Sequence, residues 1–312
     1  MALLFLGMAV CMLFADQLKI DFVALYDKAF RYWFGGICVL GTIHISVDES
    51  FKPVIEEELK VYHSTYPNSN IVVSYKPEVE CFKDLQSDST RMIITARGLN
   101  DNELAFYKQQ LQYKPTWDVV AYDAVAVITN IHSKDSVFTI QQLQDILAGK
   151  TPITAVMDGK NATSTVRFIQ DSVLKGVAFG KNVVASGSSR EVIDIVSKTE
   201  NAIGFVGLSW VGDNYDSTQQ ANLKKIRLGL VECVKCLDKG EFAKPSQATI
   251  TFSQYPLARP LYYILKENST GLGTGFVNFM SLERGQLVFK RAFLAPAKMG
   301  FLKRTSNIKS AD

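Results

Sequence analysis

The sequence predicts an α/β fold built on a doubly wound parallel sheet, and three observations lead there. From position 41 onward, short runs that alternate apolar and polar residues take turns with segments whose apolar residues recur at helical spacing. Residues 118–130 (DVVAYDAVAVITN) stay apolar over a length that suits a strand buried on both faces or crossing between two domains. Residues 153–157 (ITAVM) lead through DGKNATSTVR at 158–167 into a helical-period segment ending near Leu174, so that a strand turns directly into a helix.

Taken in order, residues 42–47 (TIHISV) alternate as a first strand, and Ser50, Phe51, Lys52 and Pro53 open a helix that reaches about Tyr66. Residues 70–75, 78–85 and 91–95 follow as strand, helix and strand. In sheets of this kind ligands lie beyond the carboxyl ends of strands, which makes 48–51, 75–78 and 95–98 candidate binding loops. The long apolar run then carries the chain into a second domain. Residues 138–147 are helical, with Phe138, Leu143, Ile146 and Leu147 on one face and Gly149 as a stop. Helices at 166–174 and 189–199 and strands at 201–206 and 225–231 come next. The TITF run at 249–252 reads as a strand crossing back, and helices at 271–280 and 281–290 finish the chain.

The 312 residues, 47% of them apolar, can bury one large core or two modest ones, and length favours about two domains. Thirty-four basic against 31 acidic residues leave a net charge of +3, so no nucleic-acid partner is expected and any anion selectivity must be local. Residues 2–14 are apolar over the length of a signal-peptide core and are too short to span a bilayer comfortably, although no Lys or Arg precedes Lys19. Residues 1–40 are therefore expected to be an export signal or membrane-anchoring segment, with the protein periplasmic or on the outer surface of the cytoplasmic membrane. Cys38 is a candidate lipid-attachment residue, preceded by Ile37 where a small residue is usual.

Cys233 and Cys236 have the spacing of a zinc knuckle, a redox dithiol or a local disulfide. Zinc needs four ligands, and no second Cys pair exists; His44, His63 and His132 lie far away in sequence. A local disulfide or two unpaired thiols remain. Cys81, between apolar neighbours on a helix, is expected in the core. Neither a Gly-x-Ser-x-Gly elbow nor a phosphate-loop Gly-x-x-x-x-Gly-Lys-Ser/Thr occurs, so neither catalysis nor a metal or cofactor is expected.

The turn at 158–167 carries the chemistry. Asn161 or Thr163 can cap the helix that follows, and the next backbone N–H groups have no partner inside it. Such an end presents aligned donors and about +0.5 of a charge, which suits an anion without any metal. A small tetrahedral oxyanion is the ligand this indicates.

AIGFV at 202–206, YPLARPLYY at 255–263, FVNF at 276–279 and ERGQ at 283–286 resemble the phosphate-binding proteins of ABC-type phosphate importers. Ser50 and Phe51 after the first strand and NATS at 161–164 share the resemblance, which runs over about residues 41–300. It implies a two-lobed periplasmic-binding receptor of the class II, Venus-flytrap kind, monomeric, closing on inorganic phosphate or a related oxyanion and docking on an ABC permease in the membrane. Lobe 1 would comprise 41–122 with 251–312 and lobe 2 would comprise 123–250, joined by crossing strands near 121–128 and 248–253.

Carried over by position, the family's binding hydroxyl and backbone fall on Ser50 and Phe51, and its Ser-Gly-Thr falls on Asn161, Ala162 and Thr163, with Ser164 next. Three positions depart from the pattern. The family's Arg falls on Met157, its third-loop Asp acceptor on Ala96 beside Thr95, and its second-loop Ser on Glu78, expected to cap its own helix. Arg97 and Arg167 are the nearby residues that could restore the missing charge, a guanidinium being able to fork onto two oxyanion oxygens. The expected ligand set is thus Ser50, Phe51, Thr95, Arg97, Asn161, Ala162, Thr163, Ser164 and Arg167. The alternative is a sensor or surface-interaction protein on the same fold with an altered pocket.

Overall fold

The computed structural model describes residues 41–300 apart from 160–162, 214 and 237–239. The expectations for 1–40, including Cys38, and for Asn161 and Ala162 lie outside the described residues.

The first lobe begins β1 (Gly41–Asp48), α1 (Lys52–Thr65), β2 (Ser69–Lys76), α2 (Glu78–Gln86), β3 (Thr90–Thr95) and α3 (Asp101–Leu111). β1 pairs in parallel with β2 and β3, as the alternating pattern predicts. β4 (Thr116–Asn130) then runs out of this lobe. The second lobe holds β5 (Val137–Phe138), α4 (Ile140–Leu147), β6 (Thr154–Met157), α5 (Ser164–Ile169), β7 (Val183–Ala185), α6 (Ser189–Lys198), β8 (Ala202–Gly207), α7 (Ser217–Leu223), β9 (Ile226–Leu228), β10 (Leu230–Glu232), β11 (Phe242–Ala243) and α8 (Gln247–Thr251). β12 (Ala258–Leu265), α9 (Leu272–Ser281), α10 (Glu283–Arg291) and β13 (Ala295–Pro296) complete the described chain.

The main sheet runs β2-β1-β3-β12-β4-β8-β6-β7. Its two ends are parallel, but β12 is antiparallel to β3 and β4, and β4 is antiparallel to β8. The sheet is therefore mixed, not wholly parallel, because β4 and β12 join the two ends. β4 shows why 118–130 reads as a crossing. Val120 and Ala121 pack in the core with β1 and β12, whereas residues 124–128 pack in the core with β6 and β8. One unbroken strand thus serves both cores.

The second crossing is not where the TITF run suggested. Residues 247–251 are helical because Ser246 Oγ accepts from Thr249 N and Thr249 Oγ1 accepts from Ser246 N, a reciprocal cap that overrides β-branched propensity. The chain returns past Tyr255, whose hydroxyl donates to Val125 O, into β12 alongside β4. Residues 225–231 form two short strands, β9 on β4 and β10 in a separate small sheet with β5 and β11. The helix after the NATS turn continues as a π-helical turn, Gln170–Leu174. Cys233 and Cys236 are joined as a disulfide, and Cys81 is buried.

Candidate functional site

The site lies where β1, α5, β8 and β12 meet, and each element supplies one part. At the end of β1, Asp48 Oδ1 accepts from Ser50 N at 2.8 Å and tightens the turn into α1. This turn buries Ser50 Oγ 3.3 Å from Ser164 Oγ and 3.2 Å from Thr165 Oγ1, in the first turn of α5. Thr163 is the N-cap of α5: its Oγ1 accepts from Val166 N at 3.3 Å and donates to Asp158 Oδ1 at 3.0 Å.

The cation at this cluster is Arg259 of β12. Its Nε and Nη2 donate to Asp123 Oδ2 on β4 at 3.0 and 2.9 Å, and its Nη1 donates to Ser164 Oγ at 3.0 Å and reaches Thr165 Oγ1 at 3.5 Å. The guanidinium lies over the Phe51 ring, 4.9 Å from its centroid. Asp123 Oδ1 also accepts from Leu208 N at 3.1 Å, while Ser209 Oγ donates to Ser50 O at 3.0 Å. Gly207 is required between them, since a Cβ there would stand 2.9 Å from Ser50 O and 3.4 Å from both Arg259 Nη2 and Asp123 Oδ2.

Carboxylates surround this cluster. Burial, with Glu78 adding to it, pushes the Asp48 carboxyl above its usual range against the pull of Arg259. Its Oδ2 has no hydrogen-bond partner among the described residues. Burial and the neighbouring Glu49 push Asp158 up to about 7.

The remaining predicted residues are placed as follows. Thr95 is buried and its hydroxyl donates to Arg97 O at 2.9 Å. Arg97 turns onto α3, with two 2.8 Å bonds to Glu103 and its guanidinium 3.6 Å from the Phe82 ring centroid. Arg167 donates to Glu78 through Nε at 2.6 Å and Nη2 at 3.3 Å. Glu78 Oε1 also accepts from Ala96 N at 3.0 Å, so this carboxylate ties α5 to the end of β3 and does not cap α2, which has no side-chain cap. The structure thus brings together Ser50, Phe51, Thr163 and Ser164. It directs Arg97 elsewhere and occupies Arg167 with Glu78.

Sequence reasoning missed Arg259, Asp123, Asp48, Thr165 and Asp158 as site residues. Arg259 carried a signal, being the only charged residue in YPLARPLYY. Its partner lies 136 positions away, and no local pattern links the two.

The comparisons with known proteins agree with this architecture. A family model described as a PBP superfamily domain matches residues 35–283. The phosphate-binding protein PstS of Staphylococcus saprophyticus is 24% identical over 247 residues, covering 73% of this chain and 72% of that protein. A crystal structure from Clostridium perfringens, described as a phosphate ABC transporter substrate-binding protein with bound phosphate, superposes with a TM-score of 0.67 at 22% identity. The match covers 83% of this chain and all of the other. An ABC-type phosphate transport receptor from Vibrio cholerae gives a TM-score of 0.60 at 16% identity, covering 81% of this chain and 99% of that one. The model match over most of the chain, with β4 and β12 joining two α/β lobes, shows that this chain belongs to the PBP superfamily.

Proposed function

We propose that the protein is an extracytoplasmic receptor that captures inorganic phosphate, or a closely related oxyanion, between its lobes and delivers it to an ABC importer. The observation that carries this reading is the convergence of Ser50, Ser164, Thr165 and Arg259 Nη1, each lobe contributing hydroxyls, in a chain whose relatives bear phosphate-binding names. A tetrahedral oxyanion entering there exchanges hydroxyl–hydroxyl contacts for three O–H donors and one guanidinium N–H. Asp123 fixes the guanidinium, so little ordering is left to do on binding. A charge-assisted bond of this kind contributes about 1.5–3 kcal/mol.

Under this reading Arg259 takes over the charge missing at Met157, and Asn161, Ala162 and Thr163 complete the anion-side loop. Thr95, Arg97 and Arg167 are not assigned to the ligand. The lobes are 41–122 with 251–312 and 123–250, and the protein acts by binding alone, as a monomer, outside the cytoplasmic membrane. Among the described residues no helix is long and apolar enough to cross a membrane. Isothermal titration with phosphate and then sulfate near neutral pH tests the proposal. Tight binding of phosphate without sulfate supports it, and binding of neither overturns it.

One observation favours a second reading. Asp48, Glu49, Glu78 and Asp158 crowd an anion site in which Arg167 is already engaged. A sensor or surface-interaction protein with altered specificity would tolerate that surplus, and a failed titration with both anions would favour it.

A further inference from the structure

Two of the surplus carboxylates meet on a single hydroxyl. Ser189, the first residue of α6, places its Oγ 2.9 Å from Asp158 Oδ2 and 3.2 Å from Glu49 Oε2. The other Asp158 oxygen accepts from Thr163 Oγ1, so that hydroxyl proton is already committed. A serine hydroxyl has one proton and can satisfy one of two acceptors. With both carboxylates ionised, the second would face an oxygen lone pair in a buried place. The backbone N–H of Ser189 favours ionised Glu49, but burial outweighs it. Asp48 adds negative charge to both, and among the described residues the opposing charge at the pair comes from Lys52 on the Glu49 side, the weakest of the influences on that group. Two carboxylates that share one hydroxyl in poorly solvated surroundings disfavour double ionisation, and groups coupled in this way titrate as a pair. Burial is the largest cause of the upward displacement of both groups, with Glu49 adding to it at Asp158 and Asp48 adding to it at Glu49.

We propose that Glu49 and Asp158 are positioning residues that hold one proton between them on Ser189, tying the β1–α1 turn to the α5–α6 side of the cleft and making anion capture proton-linked. Glu49 precedes Ser50, and Asp158 holds Thr163, which precedes Ser164. The pair therefore sets the separation of the two hydroxyls that meet across the cleft. Loss of the shared proton places a second negative charge beside the anion site and weakens the contact that keeps the cleft shut. The proton-linked capture rests on the phosphate reading; the shared proton rests on the geometry alone.

The test compares the wild-type protein with Glu49→Gln, Asp158→Asn and the double variant. In ligand-free thermal melts the two positions are expected to be favourably coupled at pH 5.5 and unfavourably coupled at pH 8.5, where both carboxylates are charged. Raised carboxyl pKa values give stability that is present at low pH and is lost as pH rises through about 7, so the wild-type Tm falls across that range more than the Glu49→Gln Tm. Phosphate titrated at the same pH values is expected to lose about tenfold more affinity in the wild type than in Glu49→Gln, a comparison that cancels the ionisation of phosphate itself. Equal pH slopes in the melts of wild type and variants would overturn the shared proton. Equal slopes in the titrations would overturn the linkage to capture. If the wild type binds no phosphate at any pH, the phosphate reading and the linkage fail together, while the melts still decide the shared proton. Should either variant not melt cooperatively, Ser189→Ala takes its place: it removes the hydroxyl that favours the ionised form of both carboxylates, so its Tm is expected to fall more steeply than the wild-type Tm as pH rises, and an unchanged slope would overturn the shared proton.

Discussion

Arg259 Nη2 donates to Asp123 Oδ2 across 2.9 Å at a point where neither side chain has any exposed surface. The pair joins the middle of β4 to the start of β12, the two strands that pass between the lobes. Burying two charges costs several kcal/mol per ion, and the cost is met only when the remaining donors and acceptors are also satisfied. Leu208 N satisfies the second Asp123 oxygen, and the hydroxyls of Ser164 and Thr165 take Nη1. The part of the guanidinium that the ion pair leaves over is the part offered to a ligand.

Removing one member of this pair is therefore expected to be worse than removing both. Asp123→Ala should lower stability by about 3–5 kcal/mol in urea unfolding, by leaving Arg259 buried and unpaired. Asp123→Leu combined with Arg259→Met should recover much of that loss. The double variant should not bind phosphate, which separates the pair's structural role from Nη1's role in binding.

Arg97→Ala should change phosphate affinity by less than about twofold and cost about 1 kcal/mol or less, the usual range for a partly exposed ion pair. Arg259→Ala should abolish measurable binding. The two titrations side by side check which arginine serves the anion.

Thr163→Ala removes the α5 cap and one of the two hydroxyls on Asp158. A lost cap costs about 1 kcal/mol, readable in thermal melts. Phosphate binding should weaken as well, because Ser164 and Thr165 are presented by the turn that Thr163 closes.

Glu58 on α1 gives a pH signature remote from the site. It is fully buried, neither carboxylate oxygen has a partner among the described residues, and burial raises its pKa to about 9. Its folded-state proton affinity exceeds the unfolded one, so the stability tied to the proton is present below the ordinary carboxylate pKa and is lost as pH rises towards 9. Glu58→Gln should match the wild type near pH 4.5 and exceed it in Tm by a margin that widens steadily to pH 9. A constant margin would show that Glu58 is ionised in the folded protein.

Much of the fold was legible because burial imposes periodicity. The first three strands and two helices fall where alternation and helical spacing put them, and the apolar run at 118–130 is the crossing strand. What local pattern could not show was set by tertiary or capping interactions. TITF at 249–252 has strand propensity, yet the reciprocal Ser246–Thr249 cap makes it helical. Residues 101–111 show only a weak amphipathic pattern and gave no signal, although Asn100 and Glu103 form a capping box there.

The site was half legible for the same reason. Ser50, Thr163 and Ser164 announce themselves as hydroxyls at a strand end and a helix start, which is a local property. Its place after the third strand suits Arg97 to the ligand, but Glu103, six residues on, claims its guanidinium. Arg259 and Asp123 become a site only when β12 inserts beside β4, a pairing that antiparallel register decides and local sequence does not.

The central claim is that phosphate sits among Ser50, Ser164, Thr165 and Arg259. A crystal structure of the protein grown with phosphate tests it most directly. The account predicts a tetrahedral anion within hydrogen-bonding distance of Ser50 Oγ, Ser164 Oγ and Arg259 Nη1, with Asp123 still holding the guanidinium. An anion bound instead at Arg97 or Arg167, or a cleft in which these hydroxyls still contact one another at saturating phosphate, would contradict it.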